Sequence, residues 1–107
     1  MAIEVNTDTF EKEVVQSELP VLVDFWGPRC VPCLALMPHV EGLEGKYGAK
    51  LKITKIDASK NRRLCINLKV LDLPTFLFYK SGKEVNRLKG DTLTIEEIEE
   101  AAKKIME

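Results

Sequence analysis

The chain is 107 residues long, 45% hydrophobic and 31% charged, and its 16 basic and 17 acidic side chains leave a net charge of -1. That length holds a single hydrophobic core, so residues 1–107 are read as one domain. Near-balanced charge argues against a nucleic-acid-binding surface, and no apolar run approaches the roughly 20 residues that a bilayer-spanning helix needs.

Met1-Ala2-Ile3-Glu4-Val5-Asn6 carries neither a basic stretch nor a long apolar one, so no export segment is read there, and a cytoplasmic monomer is expected. Asp8-Thr9-Phe10-Glu11 has capping-box spacing and Phe10 and Val14 fall four residues apart, which predicts a short helix ending near Ser17, with Pro20 forcing its exit. The nearly continuous apolar run Val21 to Trp26 predicts a strand buried on both faces, at the centre of a sheet covered by helices. From about Pro32 the spacing of Leu36, Val40 and Leu43 is helical, with a kink predicted at Pro38 and a stop at Gly45 or Gly48.

Residues 51–57 alternate as a strand and Asn61 to Leu68 reads as a short helix, a spacing that implies a parallel strand pair. After Pro74, Thr75 to Tyr79 is strand-like, Lys80-Ser81-Gly82-Lys83 is a hairpin turn, and Glu84 to Leu88 returns antiparallel. Thr94-Ile95-Glu96-Glu97 is a capping box for a last helix, with Lys103 and Lys104 in its final turn as the helix dipole prefers. The sum is an α/β chain, a central mixed sheet of four to five strands flanked by about four helices.

Chemistry concentrates where the central strand gives way to the second helix, at Cys30 and Cys33. Such a pair closes as a disulfide when oxidised. When reduced, its first sulfur lies near a helix N-terminus, where backbone N–H groups and the dipole favour thiolate over thiol. Three cysteines, an odd number, do not make a disulfide scaffold, and in a reducing compartment a close pair is catalytic or metal-binding. Cys30, the more N-terminal of the two, is the candidate nucleophile.

The neighbours of the pair suggest how it is tuned. Arg29 places a cation beside the sulfur, which favours the thiolate by Coulomb attraction and, at a docking rim, favours acidic partners. Val31 is β-branched and disfavours positive φ, and Pro32 fixes φ in the helix's first turn, so this turn is stiff. Asp24 is a carboxylate in a strand otherwise built for burial, where a raised pKa suits a proton acceptor near neutrality. Cys65, among Leu64, Ile66 and Leu68, reads as a small buried hydrophobe, and Lys60, Arg62 and Arg63 as a solvated helix start. His39 is given no role.

The element order, Val23-Asp24-Phe25-Trp26, Cys30-Val31-Pro32-Cys33 with Pro38 five residues later, Leu73-Pro74-Thr75 before a strand, the Ser81-Gly82-Lys83 hairpin and Gly90 before the last helix together resemble the thioredoxin family over essentially the whole chain. The resemblance implies a thioredoxin fold and a protein-disulfide reductase. Cys30 would attack a substrate disulfide, and Cys33, as the resolving thiol, would release the reduced substrate and close the Cys30–Cys33 bridge. It also implies Asp24 as proton acceptor for Cys33 through water, Pro74 as a cis proline beside the substrate backbone, and a docking surface of Trp26, Pro28, Leu73 and the Gly90 region. The partners implied are a thioredoxin reductase and disulfide-containing proteins, with no bound cofactor.

Two positions depart from the family pattern: Arg29 stands where a second Trp is usual, and Val31 where Gly is. Members also often carry a Lys facing the buried carboxylate from the strand that ends at Asp57, and counting back along this chain puts Ile53 there rather than Lys55. Three rival readings remain at this level: an oxidase or isomerase working in the opposite direction, which the lack of an export signal disfavours, and two outside exchange chemistry. One is a structural zinc site of Cys30, Cys33, Cys65 and His39, which the isolated spacing of the last two disfavours. The other is a binding scaffold with incidental cysteines, although nothing that exchange chemistry needs is missing.

Overall fold

A computed structural model describes residues 2–107. Five strands form one sheet in the order β1-β3-β2-β4-β5: β1 (Ile3–Glu4), β2 (Val21–Trp26), β3 (Lys52–Asp57), β4 (Thr75–Lys80) and β5 (Lys83–Lys89). Around it lie α1 (Val31–Tyr47), α2 (Arg62–Asn67) and α3 (Ile95–Ile105), with a π-helical turn at Glu11–Val15 and a 3-10 turn at Ala58–Lys60. β2 sits centrally, parallel to β3 and antiparallel to β4. The sheet is therefore mixed.

Side chains alternate across a strand, and here the alternation divides the core in two. Val21, Val23 and Phe25 point to one face with Ile56 and Leu77, where Phe10, Val14, Leu64, Cys65 and Val70 cover them. Leu22 points to the other face with Ile53, Phe76 and Phe78, covered by Val40 and Leu43 of α1 and by Ile98, Ala102 and Ile105 of α3. Because both faces are covered, β2 has no water-facing side, and Leu22, Val23 and Phe25 are fully buried. Truncating Phe25 to Ala would cost about 3–5 kcal/mol.

Two local features differ from the sequence expectation. The edge strand β1 pairs parallel with β3, Ile3 opposite Thr54, and two residues are too short to display any periodicity. The first helix is a π-helical turn whose approach is held by Asn6, not Asp8: the backbone N–H groups of Asp8 and Thr9 donate to Asn6 Oδ1 at 2.8 and 3.0 Å. Phe10 and Val14 are nevertheless buried as their spacing implies. Between the two candidate stops of α1, the helix ends at Gly48, whose N–H donates to Glu44 O, and it runs on through Pro38.

At the hairpin, Ser81 and Gly82 both take positive φ, 54° and 80°, which reverses the chain between β4 and β5. The capping box at Thr94 is formed in both directions, Glu97 N–H to Thr94 Oγ1 and Thr94 N–H to Glu97 Oε1. No helix among the described residues is long and apolar enough to cross a membrane.

Candidate active site

β2 delivers the chain to a turn, Gly27 to Cys30, in which Cys30 N–H donates to Gly27 O at 3.1 Å. A Cβ on Gly27 would lie 3.1 Å from Leu73 Cδ1, so glycine lets this turn pack against the segment before β4. Cys30 is the N-cap of α1: its carbonyl accepts the first helical bond, from Leu34 N–H, and its Sγ accepts from Cys33 N–H at 3.2 Å. A sulfur occupies the place that a Ser or Asp oxygen usually takes, aimed at the N–H groups of a 17-residue helix.

Cys30 and Cys33 are joined as a disulfide. Their exposure is unequal: Cys30 is half-buried, whereas Cys33 is 1% exposed. Val31 and Pro32 begin α1 between them, and Val31 is 75% exposed. Helical φ already begins at Val31, so the turn needs no glycine there.

Asp24 points to the sheet face that α1 covers and is 2% exposed. Its Oδ1 has no hydrogen-bond partner in the protein. Burial pushes its pKa up from 3.8 to about 7, against the pull of Lys55 and with smaller pushes from Glu41 and Glu4. The register corrects the sequence count: Asp24 lies opposite Lys55 and Leu22 opposite Ile53, so Lys55 is the cation beside the carboxylate. Lys55 Nζ is engaged elsewhere, 2.9 Å from Glu41 Oε2 on α1.

The Leu73–Pro74 peptide bond is cis, and Pro74 is buried with its carbonyl accepting from Gly90 N–H at 3.1 Å. A cleft of about 780 Å³ opens beside the sulfur, lined by Gly27, Pro28, Arg29, Cys30, Arg62 and Leu73 together with Ala58 and Ser59. Of the four residues expected to form a docking surface, Pro28 and Leu73 line this cleft. Trp26 lines a neighbouring one with Val5, Asp57 and Asn61, and Gly90 lies outside both. Arg62, read from sequence as a solvated helix start, is brought to the cleft by α2.

The zinc constellation is not assembled. Cys65 is 7% exposed on the sheet face away from α1, its thiol pushed up in pKa by burial, while His39 is exposed on α1 itself.

A buried and a half-buried cysteine sharing one S–S bond at the head of a helix, on a mixed sheet with a cis Leu73–Pro74 bond whose Leu73 lines the sulfur's cleft, define a thiol–disulfide oxidoreductase. The thioredoxin family model matches residues 1–104, and the chain belongs to the thioredoxin family. It is 46% identical to a thioredoxin of Acetoanaerobium sticklandii over 94% of this chain and 96% of that one. A thioredoxin of Peptoclostridium acidaminophilum is 43% identical over 92% and 90%, and thioredoxin 1 of a Nostoc species 35% identical over 83% of each.

Proposed function

We propose that the protein reduces disulfides of other proteins as a single-domain cytoplasmic monomer, drawing its electrons from a thioredoxin reductase. The observation that carries the assignment of roles is the unequal exposure of the two sulfurs, with the accessible one capping α1. In the reduced protein the Cys33 N–H and the helix dipole favour a Cys30 thiolate, and Arg29 nearby adds a screened attraction of about 1 kcal/mol or less.

Cys30 Sγ⁻ attacks one sulfur of the substrate disulfide, forming a mixed disulfide and expelling the other substrate sulfur as thiolate. The Asp24 carboxylate, ionised about half the time near pH 7, accepts the Cys33 proton through water. Cys33 Sγ⁻ then attacks Cys30 Sγ, the second substrate thiolate leaves, and two electrons have moved to the substrate as the Cys30–Cys33 bond forms. Reduction of that bond by the reductase closes the cycle. Pro74 leaves the backbone beside the cysteines open to an extended substrate segment, against Pro28 and Leu73.

The test is reduction of insulin disulfides with dithiothreitol as donor. Wild type should turn over, and Cys30→Ser should lose turnover entirely. Equal rates for the two would overturn the reading.

A further inference from the structure

The near-zero net charge of the chain conceals an uneven distribution. From residue 58 to residue 71 the sequence holds Lys60, Arg62, Arg63 and Lys69 and no carboxylate. Two arginines, Arg29 from the turn after β2 and Arg62 from α2, line the cleft that holds Cys30. Both are exposed, and among the described residues neither they nor Lys60 and Arg63 form an ion pair. The nearest acidic group in sequence, Asp57, is 7% exposed and turned inward, its Oδ1 accepting from Ser59 N–H at 2.9 Å and Ser59 Oγ at 2.7 Å. Asp72, on the other flank, lies 3.6 Å from Lys89.

We propose that Arg29 and Arg62 select the substrate, and that this cleft takes an extended acidic peptide segment with a carboxylate side chain within a few residues of the attacked disulfide sulfur. The inference rests on the exchange role of Cys30. Sequence proximity follows from the shared cleft: Arg29, Cys30 and Arg62 all line it, and an extended segment advances only about 3.3 Å per residue. Two arginines that line one cleft from separate elements offer a carboxylate bidentate pairing or pairing from two sides, which one lysine cannot do. Arg62, with Ala58 and Leu73 of the same cleft, also borders a smaller groove of about 300 Å³ lined by Ile66, Val70 and Leu71, of which Ile66 and Leu71 are exposed. A segment held by Arg62 therefore meets apolar surface as it leaves the cleft.

Solvent-exposed pairs are individually weak, so the expected selectivity is modest and dependent on salt. The test uses three disulfide-bridged synthetic peptides that differ only in the two residues flanking one cysteine: glutamate, glutamine or lysine. For wild type at low salt, kcat/KM should favour the glutamate over the lysine peptide roughly three- to tenfold. The ratio should fall toward one at 0.5 M salt. Arg62→Glu, which leaves the cleft with one cation and one anion, should bring it to about one, and Arg62→Lys should keep most of it. Reporting the ratio removes any uniform effect of Arg29 on thiolate reactivity, because that effect is common to all three peptides. A wild-type ratio of one, or a ratio that Arg62→Glu and salt leave unchanged, overturns the inference while the exchange reading stands. Absence of turnover on all three overturns the exchange reading itself.

Discussion

Asp24 and Asp57 are both buried carboxylates on adjacent strands, 2% and 7% exposed, yet the protein treats them oppositely. Asp57 closes β3 and caps the turn that follows, with its Oδ1 satisfied by the N–H and hydroxyl of Ser59. Asp24 lies mid-strand, one oxygen without a partner, and its nearest cation is tied to Glu41. A hydrogen-bonded carboxylate holds structure together. One that is buried and under-satisfied resists ionisation and is available to take up a proton.

The largest effect expected from this contrast is at Asp24. Its folded-state pKa of about 7 stands above the ordinary 3.8, so between those values the native protein holds a proton that the unfolded chain has released. Stability therefore falls as pH rises from about 4 to about 7, and is level beyond, with a total change of up to about 4 kcal/mol. Asp24→Asn should remove that slope in denaturant titrations and make the protein more stable than wild type at pH 8. It should also slow resolution of the mixed disulfide by roughly 100-fold. Retention of the wild-type slope would mean that Asp24 is solvated.

Asp57→Ala should do the reverse. Loss of the cap costs about 1–2 kcal/mol at pH 7, and the exchange rate stays within a factor of two. A large loss of rate with little loss of stability would erase the distinction between the two carboxylates.

The smallest effect is at Glu41. Glu41→Gln removes a repulsion from Asp24 and leaves Lys55 without its competing partner, and both changes lower the Asp24 pKa. The midpoint in the pH profile of the resolving step should move down by less than one unit. An upward shift would show instead that Glu41 is needed to hold Lys55 near the carboxylate.

Much of this site is visible along the chain, because the features that mark it are local. The unbroken apolar run of β2 announces double-sided burial with Asp24 out of place within it. Cys30 and Cys33 span one helical turn, and Leu73-Pro74-Thr75 marks the cis bond by resemblance. What the chain hides depends on pairing in space. Counting back from Asp57 selects Ile53, whereas parallel strands advance in step, Trp26 opposite Asp57 and therefore Asp24 opposite Lys55. Arg62 shares a cleft with Arg29 only because the fold brings α2 to the turn after β2, and Glu41 reaches Lys55 only because α1 lies across the sheet. The two-residue strand β1 is too brief to leave a pattern.

All of the chemistry depends on the accessible sulfur of Cys30 being anionic near neutrality. Timed alkylation of the fully reduced protein by iodoacetamide at pH 7, with each cysteine followed by mass spectrometry, measures this directly. Cys30 should react at least several-fold faster than free cysteine and well ahead of Cys33 and Cys65. A Cys30 rate at or below that of free cysteine would contradict the account.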